Sequence, residues 1–182
     1  MPNANPQTHY SAPAISQEVV SRTLSVLVDN EPGVLARVIG LFSGRGYNID
    51  SLTVTETEHE KHVSRITIVT RGTPAVIEQI KHQLERLVPV HRVRDLSLEG
   101  RSLERELALV KVAGKGEKRI EALRLAEIFR AQVVDTSTEH FVFEITGKTS
   151  KIETFIGIMM ELGLVEVSRT GIAAIGRGAA SL

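Results

Sequence analysis

Asp29-Asn30-Glu31-Pro32-Gly33-Val34-Leu35 leads into an amphipathic run that closes at Arg45-Gly46-Tyr47-Asn48-Ile49. This is the chemistry of a strand ending in a loop, a helix, and a turn into another strand. The loop offers short polar residues that can cap, a proline suited to a first helical turn, and a glycine that clears space. The first N–H groups of a helix lack intrahelical acceptors and carry partial positive charge, so a small carboxylate can be held there without a lysine. Gly33 has no Cβ, which opens the N–H groups of Gly33, Val34 and Leu35 to close approach, with Val34 and Leu35 offering apolar contact beside them. Taken alone, the loop is more often only a cap and a turn.

Working outward, residues 21–28 alternate, with Leu24, Val26 and Val28 on one face and Thr23, Ser25 and Leu27 on the other. The helix runs from about Val34 to Arg45 on a stripe of Val34, Leu35, Val38, Ile39, Leu41 and Phe42, and Gly46 ends it. Residues 48–57 read as a strand with Leu52 and Val54 inward, 58–63 as a charged hairpin loop, and 64–70 as the returning strand with Ile66 and Ile68 inward. Thr73-Pro74 opens a second helix with a stripe of Val76, Ile77, Ile80, Leu84, Leu87 and Val88, and 90–97 form a fourth strand. The order is β-α-β-β-α-β, the ferredoxin-like arrangement: a four-stranded antiparallel sheet with two helices on one face. Its other face carries Thr23, Ser25, Thr53, Thr55 and Thr67, too polar for a core and suited to water or a partner.

The second half repeats the pattern without repeating the sequence. Strands are expected at 106–113, 132–138, 141–146 and 165–175. Helices are expected at 117–130, burying Ile120, Leu123, Ile128 and Phe129, and at 150–162, with Ile152, Phe155, Ile156, Met159 and Met160 apolar. The chain is thus of the α+β class, with two ferredoxin-like modules at 21–98 and 103–176. A disordered tail is expected at 1–20 and a frayed end at 177–182.

Composition narrows the function. The chain has 182 residues, 42% hydrophobic, with 22 basic and 22 acidic side chains. A net charge of zero removes any global attraction to nucleic acid or anionic lipid. There is no cysteine, hence no disulfide or thiolate chemistry, and this suits a reducing cytoplasm. No apolar run approaches the ~18 residues of a membrane span. RNA-recognition modules share the β-α-β-β-α-β order, and Phe141 and Phe143 alternate where such modules stack bases. The matching strand of the first half, 65–69, has no aromatic residue, and this reading is set aside. His59-x-x-His62 lacks a third metal ligand, and Gly114-Lys115-Gly116 lacks the Walker spacing. No nucleophile and base stand at a spacing that argues for catalysis.

The loop 29–35 together with Arg45-Gly46-Tyr47-Asn48-Ile49-Asp50-Ser51-Leu52-Thr53-Val54 resembles the amino-terminal ACT domain of acetolactate synthase small subunits. The likeness continues through Leu109-Val110-Lys111-Val112, Glu127-Ile128-Phe129-Arg130-Ala131 and Ser168-Arg169-Thr170-Gly171-Ile172. It implies a non-catalytic regulatory subunit that binds and activates a large catalytic subunit. It further implies feedback inhibition by a branched-chain amino acid, typically valine, bound where two ACT domains pair as a homodimer. Carried over by residue, Asn30, Gly33, Val34 and Leu35 match the loop of one protomer, and Asn48 and Ile49 the segment approaching from its partner. Ala36 stands where some members carry a hydroxyl, a departure that alters the hydrogen-bond set. Thiamine diphosphate, magnesium and FAD belong, by the same resemblance, to the catalytic subunit, with no cofactor site expected in this chain. The alternative that keeps the ligand site and changes the partner is a free-standing ACT-type amino-acid sensor.

Overall fold

The computed structural model describes residues 18–58, 62–98 and 102–179. Most of the expected tail and the tip of the first hairpin, His59 included, lie outside them, as do the start of the expected domain boundary, 99–101, and the last residues, 180–182. The first half runs β1 (Val20–Asp29), α1 (Val34–Gly44), β2 (Ser51–Glu58), β3 (Val63–Gly72), α2 (Pro74–Glu85) and β4 (Val90–Asp95). Val20 already pairs with Gly72, so the first strand begins a residue before its expected start. The sheet is antiparallel in the order β2-β3-β1-β4, with β1 and β3 central and β2 and β4 at the edges.

Alternation in β1 decides the packing, because Leu24, Val26 and Val28 share the helix-facing side. They join Val34, Val38 and Phe42 of α1 and Ile77, Ile80 and Leu84 of α2 in one core. Thr73 caps α2, its hydroxyl accepting from the Val76 N–H at 3.4 Å, and Pro74 occupies the first turn, where its missing N–H costs nothing.

The second half runs β5 (Ser102–Val112), α3 (Glu117–Phe129), β6 (Gln132–Thr136), β7 (Phe141–Gly147), α4 (Thr149–Leu162), β8 (Leu164–Arg169) and β9 (Ala173–Gly176). Its sheet has the order β6-β7-β5-β8, the same topology as the first, and β9 pairs with the early part of β5. The core is aromatic: Phe155 of α4 meets Phe143 edge-on at 6.0 Å and Phe129 at 5.4 Å.

Several expectations are corrected. The single last strand is two, broken at Thr170-Gly171-Ile172, where Gly171 has φ 81°. The open face of the first sheet is not wet throughout: Thr23, Ser25 and Thr67 are buried, and Thr53 on the same face bonds Ile172 of the second half, a contact no periodicity within the first could announce. Val88 is 94% exposed because α2 stops at Glu85, so the helical spacing no longer applies to it. Val54 is exposed on the edge strand β2. In α3 the buried stripe is Ala122 and Ala126, with Leu123 and Phe129 packed partly against the core. Ile120 and Ile128 are exposed, since Ile120 lies about 200° around the helix from Ala122. Met160 of α4 is exposed as well. Phe141 and Phe143 are 6% and 0% exposed, so neither offers a ring for base stacking.

Candidate functional site

The loop before α1 is held by the sheet. Asp29 pairs with Val63 at the end of β1, the Asp29 N–H donates to the Pro89 carbonyl at 2.9 Å, and the Asn30 N–H donates to the His62 carbonyl at 2.7 Å. Gly33 is the N-cap residue with φ 87°, and no side chain caps the helix. The capping expected of Asp29 or Asn30 is therefore absent. The Asp29 carboxylate lies 2.6 Å from His91 Nε2 instead. A Cβ at Gly33 would have no neighbour within 4 Å, so the space over this helix start is open. Val34 turns its side chain into the core and its N–H makes a long hydrogen bond to the Glu31 carbonyl at 3.4 Å, whereas Leu35 is 38% exposed. Asn30 is exposed, and its side chain forms no hydrogen bond among the described residues.

At the other end of α1, Gly46 has φ 69°, and the Tyr47 N–H returns to the Phe42 carbonyl at 2.9 Å. Asn48 follows as a tethered residue. Its carbonyl accepts from the Thr70 hydroxyl at 2.6 Å, and its side-chain amide donates to Asp50 Oδ1 at 2.6 Å. Since a carboxylate only accepts, the NH₂ must face Asp50, and the amide oxygen is left toward solvent. Asp50 in turn receives Arg71 Nε at 2.6 Å and donates its own N–H to the Val69 carbonyl at 2.8 Å. Ile49 is half-buried against the core. Asp50 and Arg71 were not among the residues singled out for a role from sequence. Asp50 lay inside the quoted motif, but its partner is on β3, and no spacing shows that pairing.

The two halves of the candidate site do not meet within one chain. The 11 residues of α1 stand between them, about 16 Å at 1.5 Å per residue. Among the described residues, none of the larger cavities is lined by Asn30, Gly33, Leu35, Asn48 or Ile49. The largest of these cavities, about 620 Å³, lies between the two halves, bounded by Asp50, Ser51 and Arg71 on one side and Glu106, Glu153 and Arg169 on the other. Among the described residues no cluster of His, Asp and Glu could hold a metal ion, and no helix is long and apolar enough to cross a membrane. Gly114-Lys115-Gly116 is a turn into α3, with Gly116 as its N-cap at φ 57°.

Comparison with known proteins gives two family matches. Residues 24–92 match the ACT domain of acetohydroxyacid synthase small-subunit-like proteins, and residues 105–178 match the family described as the small subunit of acetolactate synthase. A probable acetolactate synthase small subunit of Archaeoglobus fulgidus is 46% identical over 159 residues, 87% of this chain and 98% of that protein. The acetolactate synthase isozyme 3 small subunit of Escherichia coli K12 is 45% identical over 158 residues, 86% of this chain and 96% of its own length. The crystal structure of an acetolactate synthase small subunit from Thermotoga maritima superposes with a TM-score of 0.80 at 41% identity, covering 88% of this chain and 99% of that one.

Proposed function

Because this chain belongs to the acetolactate synthase small-subunit family, and so is a regulatory partner of a catalytic large subunit, we propose that it senses a branched-chain amino acid, valine foremost, at sites shared by two paired ACT domains. It activates the catalytic subunit when the sites are empty and restrains it when they are filled. Thiamine diphosphate, magnesium and FAD reside on this reading in the catalytic subunit, and the complex works in the cytoplasm.

One observation carries the proposal. Gly33 and Asn48 lie at opposite ends of α1, and β2, which starts just after Asn48, is an edge strand with Val54 exposed. A twofold axis through that edge would pair β2 with its copy in antiparallel fashion, joining two four-stranded sheets. The start of one β2 then lies beside the end of the other. The end of β2 is also the end of the sheet that holds the 29–35 loop, because Asp29 and Asn30 bond across to Val63 and His62. The partner's segment corresponding to Asn48 and Ile49 is thereby brought to the Gly33 loop, twice per dimer. The α1 residues Leu35 and Ile39, each more than a third exposed, supply apolar surface on that half of the domain.

In this arrangement the uncapped N–H groups at the start of α1 receive the ligand carboxylate. Asn30 and the free amide oxygen of Asn48 accept from its ammonium, and Leu35 with Ile49 contacts the branched tail. Inhibition requires only that the ligand favour one orientation of the pair, typically by ~1–3 kcal/mol.

The test is calorimetric titration of the purified chain with valine, leucine and isoleucine, with sedimentation to establish the dimer. Saturable binding of one ligand per chain is expected. A folded dimer that takes up none of the three would sink the proposal.

A further inference from the structure

The segment Ser168–Ile172 has no part in the ligand site, yet it touches the strand that leaves that site. The Ile172 N–H donates to the Ser51 hydroxyl at 2.9 Å, and the Thr53 hydroxyl donates to the Ile172 carbonyl at 3.0 Å. Both backbone polar groups of one residue in the C-terminal half are thus satisfied by two alternate side chains of β2. Gly171, beside it, has φ 81°, and a Cβ there would stand 2.8 Å from Ser51 Oγ and 3.1 Å from Thr53 Cγ2. Only a glycine permits so close an approach.

Resting on the reading of the ligand site above, we propose that the Ser51/Thr53–Ile172 contact is the joint through which a ligand at Asn48 sets the position of the C-terminal domain. Ser51 begins β2, in the same short segment as Asn48 and Ile49. Asn48 spends its amide on Asp50, and Asp50 holds Arg71. A ligand ammonium bound at the oxygen of that tethered amide pulls on the Asn48–Asp50–Arg71 chain, and the start of β2 answers first. Ile172 stands where β8 breaks from β9, and both strands pair with β5, so a displacement at Ile172 is passed to the C-terminal sheet at two points. The cavity of about 620 Å³ beside the joint gives the domains room to move about it. Two sites and one element biased by both are what coupling requires.

The experiment uses the full chain reconstituted with its catalytic subunit, and compares wild type with Thr53→Val, Ser51→Ala and Thr53→Ser. Valine affinity is read by calorimetry, and inhibition by the valine concentration giving half-inhibition. Thr53→Val and Ser51→Ala are expected to bind valine within about threefold of wild type, while half-inhibition moves at least tenfold higher. Thr53→Ser, which keeps the hydroxyl, is expected to behave as wild type. Half-inhibition unchanged in Thr53→Val and Ser51→Ala overturns the coupling. Loss of valine binding in those variants also overturns it, since the hydroxyls would then belong to the ligand site or to its folding. A wild-type chain that neither binds valine nor is inhibited overturns the reading of the site itself, and the coupling with it.

Discussion

Arg169 binds both oxygens of Glu106, its Nε donating to Oε1 at 2.6 Å and its Nη2 to Oε2 at 2.8 Å. The two residues come from neighbouring strands, β8 and β5, at the edge of the interdomain cavity. The carboxylate is 4% exposed and the guanidinium 35%. The arginine's pKa is raised, first by this hydrogen bond, so the guanidinium stays charged. Removing one partner leaves the other desolvated and alone.

Arg169→Met is therefore expected to destabilise the protein by about 1–3 kcal/mol, less than for a fully buried pair because the guanidinium keeps some water. Glu106→Gln combined with Arg169→Met should cost less than Arg169→Met alone. Urea unfolding of the two variants against wild type checks the order, and equal losses in the single and double variants would remove the desolvated carboxylate as the cause.

Asn48→Ala is expected to abolish valine binding and inhibition while leaving activation of the catalytic subunit within about twofold. The tether to Asp50 is lost as well, but it is an exposed hydrogen bond, worth about 1 kcal/mol or less in stability. Simultaneous loss of inhibition and activation would make Asn48 a structural residue only.

Gly33 separates backbone strain from ligand chemistry. Its φ of 87° penalises any side chain, but nothing stands within 4 Å of a Cβ there. Gly33→Ala should thus cost about 1–2 kcal/mol in strain and keep measurable valine binding. Gly33→Asp sets a carboxylate against the ligand's own and should lose binding altogether. Calorimetry on the pair decides it, and equal affinities in the two variants would remove the loop from the site.

Phe155, fully buried between Phe129 and Phe143, carries the core of the C-terminal half. Phe155→Ala is expected to cost about 3–5 kcal/mol. If valine binding belongs to the ACT domains, calorimetry on whatever fraction stays folded should show it retained.

Lys111 donates to Glu166 at 2.6 Å and, chiefly through that hydrogen bond, holds the Glu166 carboxyl below the usual carboxylate range. A carboxyl lowered in the folded state adds stability above its unfolded pKa and loses it as pH falls through its folded one. The wild-type urea midpoint should therefore fall between about pH 5 and pH 3, and Lys111→Gln should shrink that fall. The pair is well exposed, so the difference is small and should fade in high salt.

The fold was legible wherever one periodicity governed one element. Leu24, Val26 and Val28 gave the strand and its inner face, and Val34, Val38 and Phe42 gave the helix laid on it. Legibility ended where burial came from something distant in sequence. Thr23, Ser25 and Thr67 have the composition of a wet face and are buried, on the face whose Thr53 bonds Ile172 from far along the chain. Ile120 and Ile128 have the composition of a core and are exposed, because Ala122 and Ala126 occupy the buried face of α3 instead. Residues 165–175 are strand-like throughout, and only the approach of Gly171 to Ser51 explains the break. For the candidate site, the glycine-led helix start at 33 and the turn at 46 were legible as local geometry. Their separation by the whole of α1 follows from helix length, whereas the Asp50–Arg71 pair bridges strands and left no pattern to read.

On the proposed reading, the 11 residues of α1 that part Gly33 from Asn48 also decide what such a sensor would measure. A receptor split between two copies has no complete binding surface in a lone chain, so dilution silences it as surely as withdrawal of the amino acid. Ligand and self-association then reinforce one another, each raising the apparent strength of the other by mass action. Abundance of the subunit would then be a second input, read by the same helix that keeps the proposed half-sites apart.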